Sequence, residues 1–291
     1  MFRGLYVALV TPFHQDGSLN EDKLRELVNF HVKEGTDGLV PCGTTGENPS
    51  FLSWEEHFRV IETVVSEAAG RVKVVAGGGT NSTTRSLENV RRIEDIGADG
   101  ALVITPYYNK PSQIGLYNHF STIAENCALP LMLYNVPGRT AVDMQPETVA
   151  RLAEFKNVVA VKEATGCVER ASTLVRLCGA KIDVISGDDA NTLPILAVGG
   201  RGIVSVAGNI IPKDLKSMIN AFCDGDLETA RQRHLEMLTL FQAMFLDTNP
   251  VPVKAAMNIL GWNVGEVRQP LAPMTPGNTA RLKEVMKDYG I

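Results

Sequence analysis

The chain has 291 residues, 44% of them hydrophobic and 21% charged, with a formal net charge of −5. These proportions are ordinary for a globular protein with a large core, and nothing supplies the concentrated basic stripe that nucleic acid requires. Small anionic substrates stay open, because one local Arg or Lys can bind them whatever the net charge.

At the N-terminus, residues 5–10 are apolar but too few for a signal peptide, and Pro12, His14 and Asp16 follow instead of a small-residue cleavage site. Short apolar, β-branched runs recur at 6–11, 38–42, 72–76, 101–105, 131–134, 158–162, 183–186 and 203–206. Their near-continuous apolar character predicts parallel strands buried on both faces. Between them lie stretches of helical spacing. One starts at Asn20 with Glu21 and Asp22 in its first turn and repeats Leu24, Leu27, Val28 and His31. Another starts at Ser53, with Glu56 completing a capping box, and repeats Phe58, Ile61, Val64 and Val65. Strand spacing shortens from about 30 residues to about 20, within range for βα units.

The alternation predicts an α/β fold, a (β/α)8 TIM barrel with additional C-terminal helices. The barrel takes residues 1–224 and ends with its eighth helix at 213–223. Residues 225–291 are expected as a helical extension packed on it, with helices at 227–246, 251–260 and 278–289. Asn249-Pro250 and the prolines Pro273 and Pro276 separate these helices. No run approaches the ~20 apolar residues of a membrane helix. The five cysteines (Cys42, Cys127, Cys167, Cys178, Cys223) are scattered, without a Cys-x-x-Cys pair. They predict reduced thiols, no structural zinc and a cytoplasmic location.

In such barrels the chemistry lies where strands end and loops begin. Lys162 closes the apolar run Val158-Val159-Ala160-Val161 and points to the barrel mouth or interior. An amine desolvated among apolar walls sheds its proton more readily and attacks a carbonyl to form an imine. The residues alone leave open a structural lysine paired with Glu163 or an Asp. Tyr134, at the equivalent end one strand earlier, would bring a phenol to the imine and move protons; alone, it could equally plug the barrel top. Gly43-Thr44-Thr45-Gly46 offers two hydroxyls and a permissive backbone for a small carboxylate, or is a plain βα turn. Gly38-x4-Gly43-Thr44-Thr45 is no P-loop, since Thr44 stands where the lysine belongs. Gly77-Gly78-Gly79 is too common a loop to mark a dinucleotide site. His14, His31, His57, His119 and His234 lack metal-ligand spacing and read as surface or satisfied core residues.

Three segments in this order carry a resemblance: Gly43-Thr44-Thr45-Gly46-Glu47, Tyr134-Asn135-Val136-Pro137-Gly138-Arg139-Thr140 and Val161-Lys162-Glu163-Ala164-Thr165-Gly166. The chain resembles the dihydrodipicolinate synthase/N-acetylneuraminate lyase family of class I aldolases, from about Gly4 to the last helix. Pro137-Gly138-Arg139-Thr140 and Asn249-Pro250-Val251-Pro252-Val253-Lys254 favour the synthase branch; the sister sialic-acid lyases typically lack the arginine.

The resemblance implies condensation of pyruvate with L-aspartate 4-semialdehyde, the first committed step toward diaminopimelate and lysine, with no metal or organic cofactor. By the family pattern Lys162 forms the imine and Thr45 binds the pyruvate carboxylate. Tyr134, Thr44 and Tyr108 match a proton relay, and Arg139 would meet the carboxylate of the semialdehyde. Gly187 and Val204 match positions lining the pyruvate pocket, the latter through its backbone. The second tyrosine of Tyr107-Tyr108 is expected to reach a neighbouring subunit's site, in a homotetramer built as two tight dimers. The imine supplies an electron sink, so C3 of pyruvate becomes a nucleophilic enamine. A guanidinium suits planar two-point recognition of a carboxylate better than an ammonium does.

A sister lyase acting on a longer keto-acid sugar is the alternative enzyme. A catalytically silent sensor of pyruvate or lysine would be expected to lose Lys162 or Tyr134. Lysine-sensitive members carry a glutamate after strand 3 that pairs with the effector's amine; here the matching position is Arg85, and Trp54 stands where a histidine is frequent, although His57 and Asn81 match. Weak or absent inhibition by lysine is therefore expected.

Overall fold

The computed structural model describes residues 1–47 and 52–291. Strands β1 (Gly4–Ala8), β2 (Gly38–Val40), β3 (Lys73–Gly77) and β4 (Gly100–Ile104) pair in parallel and in chain order. They continue into β5 (Leu131–Asn135), β6 (Val158–Glu163), β7 (Asp183–Ser186) and β8 (Gly202–Ser205), and β8 returns to β1 to close the barrel.

Each strand buries both faces. Tyr6, Ala8, Val40, Val75, Leu102, Met132, Ala160, Ile185 and Val204 pack together inside the barrel. Their neighbours Leu5, Val7, Leu39, Val74, Val103, Leu133, Val161 and Ile203 face outward, into the core shared with the helices. Two apolar faces leave no polar alternation, which is why the strands read as unbroken apolar runs. At Gly38 a Cβ would lie 1.9 Å from the Tyr6 ring, so the missing side chain is what lets that ring fill the barrel.

Two strands end earlier than the runs suggest. Pro41 has no N–H to donate and Cys42 is left-handed at φ 55°, so β2 stops at Val40. Beyond Ala8 the chain leaves β1 by side-chain bonds: Asn209 Oδ1 accepts from the Val10 N–H, and the Thr11 hydroxyl donates to Gly46 O.

The helices of the barrel are α1 (Glu21–Lys33), α2 (Trp54–Ala68), α3 (Thr83–Ile96), α4 (Gln113–Glu125), α5 (Pro137–Thr140) and α6 (Pro146–Leu152). They continue with α7 (Val168–Cys178), α8 (Thr192–Ala197) and α9 (Pro212–Cys223). The Asn20 cap of α1 accepts from the Lys23 N–H, and α2 begins with the expected Ser53/Glu56 capping box. Then come α10 (Leu227–Ala243), α11 (Val251–Ile259) and α12 (Pro276–Tyr289). Their buried Met237, Leu240, Phe241, Val253, Met257, Leu282 and Met286 join the core that covers the barrel's outer face. Among the described residues no helix is long and apolar enough to cross a membrane.

The histidines are surface or core residues as expected, His14 being exposed, but the buried ones are not fully satisfied. His31, His57 and His119 are buried. His31 Nδ1 lies 3.5 Å from Thr36 Oγ1 and His119 Nδ1 lies 2.9 Å from Thr83 Oγ1, but Nε2 of each has no protein partner among the described residues. All three are core residues, and His31 and His119 are only half satisfied. Burial pushes His31 down to about 3 and His57 and His119 down to about 4. The unfolded chain protonates these rings near pH ~6.5 and the folded chain does not, so their contribution is present above that pH and is lost as pH falls toward 4. At pH 5 each ring held near 4 should cost roughly 2 kcal/mol of stability relative to neutral pH. Urea midpoints measured from pH 7 to 5 should therefore fall steadily; a flat profile would contradict the burial argument.

Candidate active site

The side-chain period of a strand is two, so Lys162 shares the face of Ala160, and Tyr134 that of Met132: both point into the barrel. Tyr134 and Lys162 are register partners across β5 and β6. Both are 5% exposed, and the Lys162 Nζ lies 4.3 Å from the centroid of the Tyr134 ring. Glu163, one residue on, faces the other way. Its carboxylate accepts from Arg170 Nε at 3.0 Å, from Asn135 Nδ2 at 3.3 Å and from the Thr165 N–H at 2.8 Å. Among the described residues Lys162 has no ion pair, so the option of a structural pair with Glu163 or an Asp is not taken up. The amine stands at the mouth with an aromatic face beside it and no carboxylate holding it.

Gly187 follows β7 on the same inward face as Ile185. A Cβ there would meet Ala164 Cβ at 2.6 Å and Lys162 Cε at 3.1 Å. The absent side chain is what leaves room for the lysine stem. Val204, 1% exposed, belongs to the same interior cluster as Tyr134.

The Gly43-Thr44-Thr45-Gly46-Glu47 loop crosses the same end of the barrel, between left-handed residues Cys42 (φ 55°) and Glu47 (φ 51°). Thr44 is half-buried and lines a narrow cleft together with Tyr134, Gly79 and Ile104. Thr45 is 2% exposed and its Oγ1 accepts from Asn249 Nδ2 at 2.9 Å. Arg139, exposed in α5, donates through Nη2 to the carbonyl of the same Asn249 at 3.2 Å. The structure thus brings Lys162, Tyr134, Thr44, Gly187 and Val204 to one end of the barrel interior, with Thr45 buried within the loop and Arg139 at the rim. Tyr108 is not among them: it is 88% exposed and left-handed at φ 73°.

Sequence reasoning missed two features. Asn249 joins the Thr45 hydroxyl to Arg139, although its segment had no assigned role beyond marking a branch. Gly77 and Gly79 were set aside as a common loop; a Cβ on them would meet Cys42 O at 2.0 Å and Ile104 N at 2.4 Å. Their signal was visible, since three consecutive glycines at a strand end announce a close backbone approach. Among the described residues no group of His, Cys, Asp and Glu could hold a metal ion. The arrangement can do amine–carbonyl chemistry, with hydroxyl groups at hand for protons and a loop and a guanidinium for carboxylates.

Comparison with known proteins gives a consistent set. The model of the family described as "Dihydrodipicolinate synthetase family" matches residues 1–289. A 4-hydroxy-tetrahydrodipicolinate synthase of Geobacter sp. (strain M21) is 55% identical over 289 residues, covering 99% of each chain. The chloride-inhibited dihydrodipicolinate synthase of Acinetobacter baumannii, solved with pyruvate, superposes with a TM-score of 0.98 at 41% identity over 100% of both chains. A monomeric dihydrodipicolinate synthase variant does so with a TM-score of 0.95 at 39% identity, over 99% of this chain and 97% of that one.

Proposed function

From a chain that belongs to the dihydrodipicolinate synthetase family, we infer a lyase that condenses pyruvate with L-aspartate 4-semialdehyde to 4-hydroxy-tetrahydrodipicolinate, in lysine and diaminopimelate biosynthesis. Lys162 Nζ attacks C2 of pyruvate and water leaves, giving the imine. Loss of a C3 proton makes the enamine, whose C3 then bonds to the aldehyde carbon. The semialdehyde's own amino group displaces Lys162 at C2, which closes the ring and frees the enzyme. Tyr134, with Thr44 and Tyr108, carries the protons; Thr45 holds the pyruvate carboxylate and Arg139 that of the semialdehyde. Gly187 and Val204 shape the pocket. The observation that carries this is the Lys162 amine, without an ion pair among the described residues, 4.3 Å from the Tyr134 ring at the strand ends.

The test is consumption of aspartate semialdehyde with pyruvate, set against cleavage of N-acetylneuraminate. Activity on the sugar alone would place the chain in the sister branch. The reaction needs no membrane, and we place the enzyme in the cytoplasm. Residues 1–224 are the working barrel, with 225–291 as an extension packed on it.

The support for assembly is Tyr108. A bulky residue at positive φ is strained, and in the lone chain this one is almost wholly exposed, with Ile114 (70%) and Trp54 (52%) also exposed. We assign the tyrosine to a neighbouring subunit's site, in a homotetramer of two tight dimers. Tyr108→Phe and Lys162→Ala subunits, each nearly inactive alone, should regain activity when co-assembled, because one site per mixed dimer then has both groups. No recovery in verified mixed dimers would return Tyr108 to its own subunit's site.

Inhibition by lysine should be weak or absent. Arg85 is exposed near the start of α3 and Trp54 opens α2; of the segment after Glu47, residues 48–51 lie outside the described residues. A guanidinium repels the effector's amine where a glutamate would attract it, a swing of several kcal/mol at ~4 Å if partly desolvated. Half-inhibition by submillimolar lysine at saturating pyruvate would contradict this, and Arg85→Glu should raise sensitivity.

A further inference from the structure

The loop that carries Thr44 and Thr45 is fastened from the far end of the chain. Glu47 closes the loop and is fully buried, and its Oε1 accepts from Lys254 Nζ at 2.7 Å. The same ammonium donates to the carbonyls of Thr11 at 3.1 Å and Glu266 at 2.9 Å. An ammonium has three N–H groups, and here each has an acceptor. Lys254 is 1% exposed, and its Nζ also lies 4.3 Å from the centroid of the Phe13 ring. It projects from α11, whose first turn follows Asn249, the residue that touches both the Thr45 hydroxyl and Arg139.

An apolar contact would fasten a loop at a lower desolvation cost than a buried ion pair. Burial pushes the Glu47 carboxyl up and the Lys254 amine down, and each partner's charge opposes the other's shift. What a fully bonded ammonium adds is direction, because three acceptors fix one position of Nζ and therefore of the carboxylate it holds. The loop needs that constraint. Its two ends, Cys42 and Glu47, sit in left-handed backbone that a non-glycine residue keeps only when its surroundings hold it there.

We propose that Glu47 and Lys254 are positioning residues for the Thr44-Thr45 loop, their buried pair setting from α11 where the loop's hydroxyls and N–H groups meet the substrate carboxylate. The proposal rests on the reading of that loop as the pyruvate carboxylate site. It makes the C-terminal extension part of the active site's construction, although neither residue touches substrate.

Full-length Lys254→Met, Glu47→Gln/Lys254→Met and Thr45→Val, compared with the parent, separate the two ideas. Lys254→Met should raise the pyruvate KM about 10-fold or more with less than about a 3-fold change in the semialdehyde KM, because only one carboxylate site loses its placement. A merely structural role would move Tm and both KM values together, and would leave this split between the two substrates out. If Lys254→Met does not fold, the charge-free double variant replaces it, and its pyruvate KM should be raised likewise. A folded double variant with the parent's pyruvate KM overturns the proposal. Thr45→Val with the parent's pyruvate KM overturns instead the underlying reading of the loop.

Discussion

Lys162→Ala should abolish the pyruvate adduct that borohydride traps, and lower turnover on the order of 10⁴-fold or more, in a protein that stays folded. The chemistry requires the loss, because without the amine there is no imine and no electron sink for C3. The fold should tolerate it for a reason visible in the site. The lysine has no ion pair among the described residues, so its removal strands no buried counter-charge, the event that makes such substitutions severe. What disappears is the contact with the Tyr134 ring, worth about 1 kcal/mol, and some packing of the stem beside Gly187. Mass spectrometry of the reduced protein checks the result: an adduct on any other lysine of the variant would displace the central assignment.

Tyr134→Phe should keep the ring where it is and cut turnover roughly 10²–10⁴-fold, the range of a positioned acid–base group. The ring is buried against Met132 and Val136 in the barrel interior, so the change deletes one oxygen and little packing. The trapped adduct should still form, more slowly, because the amine remains. Arg139→Ala is its counterpart at the rim and should act through the second substrate, raising the KM for the semialdehyde more than it lowers turnover. Parent-like turnover in Tyr134→Phe would remove the tyrosine from the proton relay.

The barrel was legible in the sequence because its strands bury both faces: runs such as Val158-Val159-Ala160-Val161 carry no polar alternation to mislead. Strand ends were less so. The stop of β2 depends on Pro41 and on the left-handed Cys42, and φ is not written in residue type for a cysteine. In the site, Lys162 and Tyr134 could be picked out since each closes an apolar run, and the pairing of β5 with β6 makes them neighbours. The partner of Glu163 could not, because Arg170 lies in the first turn of α7 and only the folded β6–α7 turn aims it back. Asn249 and Lys254 were harder still. Their partners Thr45 and Glu47 are 204 and 207 residues away, and no periodicity or spacing reports a contact of that range. The buried histidines show the same limit: helical spacing placed His31 on the core face of α1, but whether its second nitrogen finds an acceptor depends on what packs above it.

Those long separations also set an order of events during synthesis. The ribosome adds about 5–20 residues per second, so Glu47 emerges some 10–40 s before the lysine that neutralises it. For most of that interval β1 likewise lacks β8, its partner at Gly202–Ser205. A nascent chain therefore carries Lys162, Tyr134 and its glycine-lined cleft well before it carries Asn249 and Lys254, which hold the Thr44-Thr45 loop. The stretch from Asn249 to Lys254 is what completes the site.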